Sequence, residues 1–181
     1  KPMKNLFKIL ILSFTLLTSF IFSQQKVNVN NLVEYGGKMF RQDDDKPYTG
    51  MVFDLYESNG QKKLEGYYRN GVEHGKRTYW YENGQKEREE SYKDGESDGL
   101  WTYWYDNGQK KFEGEFKNDN IEGLWEFWKE NGENDFGRNY RNNEIIDEWI
   151  YHYIKYDNGN VNMMGIIKKD ENDEWKQEGL W

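Results

Sequence analysis

The dipeptide Asn-Gly returns along this chain at a constant interval. Four copies follow one another at steps of 24 residues, and a fifth, Asn158-Gly159, comes 27 residues later. A self-similar period of this length indicates one supersecondary unit stacked on copies of itself. Asn-Gly between alternating aromatic segments also predicts a tight hairpin turn, in which both central residues need positive φ. The spacing therefore predicts a row of β-hairpins whose structural turns are Asn59-Gly60, Asn83-Gly84, Asn107-Gly108 and Asn131-Gly132.

Residues 99–122 serve as the model unit. An aromatic-rich strand over 99–105 leads through the Asn107-Gly108 turn into a return strand over 110–116. A second, looser turn over 117–120 leads to the next unit, and aromatic residues favour strands. Each unit opens on a glycine, which suits a strained turn or a close approach of two backbones. These positions are Gly50, Gly75, Gly99 and Gly123, with Asp147 in the fifth place.

Side chains alternate between the two faces of a strand. Trp101 and Tyr103 therefore share one face and Trp104 points to the other, while Phe112 and Phe116 share a face of the return strand. An isolated hairpin is marginally stable, so neighbouring units must cover its faces. The predicted fold is all-β: an elongated single-layer antiparallel sheet of tandem hairpins over residues 48–181. Residues 178–181 repeat 122–125, so the last unit is either a truncated cap or part of a longer array.

The N-terminus has the pattern of a secretory signal. A basic start at Met3 is followed by 14 uncharged residues from Ile9 to Phe22 and by the small residue Ser23. This stretch is shorter than the roughly 17–25 apolar residues of a membrane span. We predict a signal helix within residues 1–23, cleaved near Ser23, followed by a polar lead-in over 24–47. The mature protein would be secreted, periplasmic or at the cell surface, with no integral membrane span.

Composition limits the partners. Aromatic residues make up 18% of the chain and charged residues 32%, so a thin aromatic core coated with charges fits better than disorder. Without the three lysines of the N-terminal segment, 22 basic and 33 acidic residues leave a net charge of −11. Such a balance disfavours nucleic acids and anionic membranes as partners. Cysteine is absent, which excludes disulfides and thiolate metal sites.

No catalytic pattern stands out in the sequence. There is no Ser-His-Asp arrangement, phosphate-binding loop or dinucleotide-binding glycine pattern, and no pair among the 33 acidic residues is singled out for acid–base chemistry. We therefore expect no enzymatic activity, no cofactor and no metal.

The exposed part of the aromatic rows is the candidate binding surface. One interpretation makes it a protein-interaction scaffold with aromatic hot spots, which we favour. A second uses the rings as stacking platforms for a cell-wall or cell-surface glycan, and in a third the aromatics serve only the sheet. The candidate residues are Trp80, Trp101, Tyr103, Trp104, Trp125 and Trp128.

The segments Gly75 to Lys86 and Gly99 to Lys110 resemble the bacterial variant of the MORN repeat, and the resemblance covers roughly residues 48–170. Proteins of this kind are grouped as the YwqK family and are often labelled antitoxins of toxin–antitoxin systems. The resemblance implies an elongated antiparallel sheet of successive hairpins with binding on one face. An antitoxin of a cytoplasmic toxin should lack an export signal, so an antitoxin-like role here is expected only toward an exported toxin.

Overall fold

The structure is a computed structural model that describes residues 26–155, 161–169 and 175–180. The predicted signal helix, its cleavage point and the fifth Asn-Gly copy lie outside these residues. Within the described ranges, no helix has the length and apolar character needed to cross a bilayer.

The described residues form one 14-stranded sheet and a separate two-stranded sheet of β2 (Leu32–Tyr35) and β3 (Lys38–Arg41). From β4 (Gly50–Leu55) onward the long strands follow one another across the sheet in chain order and pair antiparallel, whereas β1 (Val27–Asn28) runs parallel to β4. The predicted all-β sheet of tandem hairpins is thus confirmed, with this one parallel pair as an addition. The elements are β1 (Val27–Asn28), a 3₁₀ turn (Val29–Asn31), β2 (Leu32–Tyr35), β3 (Lys38–Arg41), β4 (Gly50–Leu55), β5 (Lys62–Arg69), β6 (Val72–Glu73), β7 (Gly75–Trp80), β8 (Lys86–Lys93), β9 (Glu96–Ser97), β10 (Gly99–Trp104), β11 (Lys110–Lys117), β12 (Asn120–Trp128), β13 (Asn134–Arg141), β14 (Glu144–Lys155), β15 (Val161–Lys169) and β16 (Trp175–Leu180).

The tight turns do not lie at Asn-Gly, as the sequence predicted, but at the connections between successive units. Both central residues have positive φ in the turns at 70–71, 94–95, 118–119 and 142–143, which are the tight turns. In the Asn-Gly loops only the glycine has positive φ, +83° at Gly84 and +85° at Gly108. Tyr81 and Gln85 close such a loop by an N–H···O=C bond of 2.9 Å around three residues. The prediction that Asn and Gly both adopt positive φ is therefore wrong.

The asparagines instead join neighbouring units. Asn83 Oδ1 accepts from the backbone N–H of Gln85 at 2.9 Å, and its Nδ2 donates to the Asp106 carbonyl of the next unit at 2.7 Å. The Tyr81 hydroxyl donates to the Trp104 carbonyl at 2.7 Å. The same bonds recur one unit earlier and one unit later. The constant spacing of Asn-Gly thus reflects a row of hydrogen bonds between successive loops, all at the same end of the strands.

At the unit-opening glycines the strand register shifts in a way that keeps equivalent side chains of successive units on the same side of the sheet. At Gly75, Gly99 and Gly123, all with positive φ, the register between strands shifts by two residues. A shift of one residue exchanges the faces of a strand, whereas a shift of two preserves them. One side of the sheet therefore keeps the rings of Trp101, Tyr103, Phe112, Phe116, Trp125 and Phe127, and we call it the aromatic face. The opposite side is the lysine face, defined by Trp80, Trp104 and Trp128 with Lys62, Lys86 and Lys110.

Equivalent side chains no longer lie on the same side of the sheet after Asp147, which stands in the place of a unit-opening glycine. Asp147 pairs regularly with Asn139, and the register shifts there by only one residue. Trp149 consequently lies opposite Gly137, on the side away from Phe136 and the aromatic face.

The lead-in contains more structure than a polar linker. Leu32 of the lead-in and Tyr48, which directly follows it, pack with Val52, Leu64 and Tyr68 in the buried core of the first unit. Beside this core, the Gly71 N–H donates to the Tyr48 carbonyl at 2.7 Å, as the Gly95 N–H donates to the Glu73 carbonyl one unit later. The lead-in and Tyr48 thus together occupy the place of a preceding unit and cover the start of the aromatic face.

Candidate functional site

The six residues predicted as one binding surface are divided between two faces. Trp101, Tyr103 and Trp125 belong to the aromatic face, where their rings contact Phe112 or Phe116. Trp80, Trp104 and Trp128 belong to the lysine face, each beneath a lysine ammonium group. The division follows from strand alternation, because Tyr103 and Trp104 are consecutive residues of β10.

The aromatic face carries a continuous row of rings from β8 to β13. Ring centroids lie 4.3 Å apart for Tyr103 and Phe112, 5.9 Å for Phe112 and Phe127, and 4.2 Å for Phe127 and Phe136. Most of these side chains are half-buried within the single layer. The phenylalanines were not among the predicted site residues, although the alternation of Phe112 and Phe116 along the return strand was the signal that could have found them.

Two of the predicted tryptophans are held by the sheet itself. The indole Nε1 of Trp101 donates to the Ser91 carbonyl at 3.2 Å, and that of Trp125 donates to the Glu115 carbonyl at 3.2 Å. Trp125 is only 6% exposed and lies over Gly114. These indoles therefore stabilise the array, and Trp125 in particular offers little accessible surface to a partner.

A charged cluster lies at the β8 end of the ring row. Arg88 stands where the next unit has Phe112, and Glu90, only 4% exposed, stands where it has Gly114. The Glu90 carboxylate lies 2.9 Å from Arg88 Nε and accepts hydroxyl bonds from Tyr103 at 2.6 Å and Tyr92 at 2.9 Å. The Arg88 guanidinium lies 3.6 Å from the centroid of the Tyr79 ring. The buried carboxylate is thus paired and hydrogen-bonded, as burial of a charge requires.

This cluster makes the fold sensitive to alkali. Burial, the hydrogen bond to Glu90 and its negative charge raise the pKa of Tyr103 above the ordinary value of 10.0. Burial and the charges of Glu90 and Glu73 likewise raise the pKa of Tyr92.

We expect the free energy of unfolding to fall as pH rises above about 10, because the unfolded chain loses the Tyr103 and Tyr92 protons before the folded chain does. The contribution is fully present below that pH. Urea unfolding between pH 8 and 11 measures the slope, and Tyr103→Phe should make it shallower. An equal slope in the variant would contradict the role of Tyr103.

The lysine face repeats one arrangement in three units. A lysine Nζ lies 5.2–5.6 Å from the centroid of a tryptophan ring in the following unit and 2.6–3.0 Å from a glutamate oxygen. The sets are Lys62, Trp80 and Glu65; Lys86, Trp104 and Glu89; and Lys110, Trp128 and Glu113. Among the described residues, no cluster of His, Asp and Glu is placed to hold a metal ion.

Two stretches of the chain match a family model. Residues 73–94 and residues 97–118 each match the model of the MORN repeat variant. These two stretches are MORN-type repeats. Each matched MORN repeat reaches a tight-turn residue, Asp94 or Asn118, and holds one Asn-Gly loop near its middle. No curated protein matches the chain.

Proposed function

We propose that the protein is an exported, non-catalytic scaffold that binds another protein through its aromatic face. The observation that carries the proposal is the continuous row of half-buried rings, joined by 4.2–6.4 Å contacts, on one side of a sheet of MORN hairpins. Tyr, Trp and Arg dominate protein-binding hot spots, and Arg88 and Arg138 lie among these rings.

The lead-in supports this choice of face. Its residue Leu32 and the adjoining Tyr48 already cover the start of the aromatic face, where Val52 is fully buried. A protein segment that presents apolar side chains and backbone hydrogen bonds therefore matches this surface. Partner residues bound farther along the row would bury rings that are now half-exposed, which is the main source of affinity for such contacts.

Export rests on the signal-like residues 3–23. If the chain belongs to the YwqK family, an exported toxin is one kind of partner that fits both features. N-terminal sequencing of protein purified from the native host tests export: we expect a start near Gln24, and retention of Met3 would contradict cleavage.

Site-specific photo-crosslinking tests the binding face. Phe127 and Trp128 are neighbours on β12 and point to opposite faces, so each is replaced in turn by a photoreactive phenylalanine analogue. Crosslinking in the native envelope fraction should yield a discrete protein adduct from position 127 and none from position 128. The added substitution Phe112→Ala should reduce that adduct, because it removes the ring between Tyr103 and Phe127.

Circular dichroism of each variant checks that the sheet is retained. Equal adducts from both positions would show that binding is not confined to the aromatic face. Absence of an adduct at position 127 in folded protein would contradict the scaffold proposal itself.

A further inference from the structure

We propose that the lysine face is a second binding site, independent of the protein-binding face, and that its ligand is a neutral linear glycan of β-1,4-linked sugars, with about one disaccharide per repeat unit. The proposal goes beyond the scaffold function, since it assigns a different ligand to the opposite side of the sheet.

Each unit offers a stacking surface beside polar groups. In the middle unit, Lys86 Nζ lies 5.6 Å from the Trp104 ring centroid and 2.6 Å from a Glu89 oxygen. An indole face suits the C–H face of a pyranose ring, while an ammonium group and a carboxylate suit its hydroxyl groups as donor and acceptor. Bringing these three groups together fits a ligand that is apolar on one side and hydroxylated at its edges.

The lysine can move away from the indole without leaving the glutamate unpaired. Glu89 also pairs with Lys76 at 3.0 Å, and Glu113 also accepts from the Thr102 hydroxyl at 2.9 Å. In the first of the three sets, Glu65 keeps Lys26 as a second partner. Burial opposes the charge of Glu89, but hydrogen bonds from Lys86 and Lys76 outweigh it and hold the pKa below its usual range. A sugar can therefore displace the outer lysine while the carboxylate stays charged and paired.

The distance between neighbouring sets determines the repeat length of a ligand that fits all three. Adjacent strands lie about 4.8 Å apart, so a unit of two strands advances by roughly 9–10 Å. That distance is close to the length of one disaccharide in a β-1,4-linked chain. A chain lying across the strands would thus meet Trp80, Trp104 and Trp128 at the same point of successive disaccharides.

Charge favours a neutral polymer. Each lysine above an indole is matched by a glutamate within 2.6–3.0 Å, so the row carries little net charge. An anionic polymer would be repelled by these carboxylates and by a chain of formal charge −8.

Calorimetric titration with defined oligosaccharides tests the proposal. The probes are β-1,4-linked N-acetylglucosamine and β-1,4-linked glucose, each as the disaccharide, tetrasaccharide and hexasaccharide; comparison of the two series identifies the preferred sugar. We expect the association constant to rise with chain length, because linked sugars engage additional units at high effective concentration. Trp104→Ala should weaken hexasaccharide binding about tenfold.

Phe127→Ala is the matched control from the opposite face and should leave hexasaccharide binding unchanged. Trp104→Phe, which retains a ring at the same place, should give an intermediate loss and guards against simple unfolding. Binding that does not increase from disaccharide to hexasaccharide, equal losses in the Trp104→Ala and Phe127→Ala variants, or no heat in either series would overturn the proposal. None of these outcomes bears on crosslinking from position 127, so the two proposals fail separately.

Discussion

Deletion of residues 99–122 is expected to shorten the sheet by one hairpin and leave the protein folded. The deletion joins Asp98 to Gly123, which has positive φ as Gly99 does and opens the following unit. The row of hydrogen bonds between loops can re-form, because Glu130 lies one unit after Asp106 and its carbonyl already accepts an asparagine amide. Every remaining long strand from β4 onward keeps an antiparallel neighbour, so the deletion respects the modularity of a repeat array.

The deletion still has a local cost at Glu90. Tyr103 is removed and Phe127 takes its place, so the buried carboxylate loses a hydroxyl bond of 2.6 Å. Loss of one partner from a buried polar group costs about 1–3 kcal/mol. We expect urea unfolding to remain cooperative with this reduction in stability, and Phe127→Tyr in the shortened protein to recover part of it.

Deletion of residues 99–110 alone should instead abolish cooperative unfolding. It removes β10 and the Asn107-Gly108 loop, so β11 and every later strand would enter the sheet in the reverse of their native direction. The later Asn-Gly loops would then lie at the opposite end of the strands from Asn83, where they cannot accept its amide hydrogen bond. Circular dichroism and tryptophan fluorescence during urea titration compare the two deletions. Equal damage from both would contradict the modular array.

The period, the hairpins and the unit-opening glycines were predictable because they are properties of each unit by itself. The turn types were not, because Asn83 looks like a local turn residue while its Nδ2 bonds to the Asp106 carbonyl 23 residues away. A dipeptide signal shows that Asn83 bonds within its own loop but not that it also joins that loop to the next one.

The division of the candidate residues into two faces follows from alternation, which places Tyr103 and Trp104 on opposite sides. The change at Trp149 also had a signal in the sequence. Asp147 stands where the earlier units have a glycine, which takes positive φ at a lower cost than aspartate does, and Gly137 stands one residue before the place that matches Gly114. The lead-in gave no such signal, because its packing against Val52 and Leu64 joins residues that no repeat relates.

Gly114→Ala is expected to cost about 2–4 kcal/mol, at or above the upper end of overpacking effects. A Cβ at position 114 would lie 2.1–2.3 Å from three atoms of the Trp125 indole. That indole cannot easily move aside, because Nε1 is bonded to the Glu115 carbonyl and the ring lies against Phe116 at 5.3 Å. Displacing it would disturb the ring row at its most buried member.

Gly66→Ala is the matched control, since Gly66 holds the same place in an earlier unit. There the nearest atom to the added Cβ is Arg77 Cγ at 3.1 Å, so a shift of a few tenths of an ångström relieves the contact, and we expect a smaller cost of about 1 kcal/mol. Urea unfolding of both variants, and of Gly114→Ala combined with Trp125→Ala, forms a double-mutant cycle. If the indole is the obstacle, the cost of Gly114→Ala should largely disappear once Trp125 is removed. A cost at position 114 that persists without the indole would instead place the requirement for glycine in the backbone of β11.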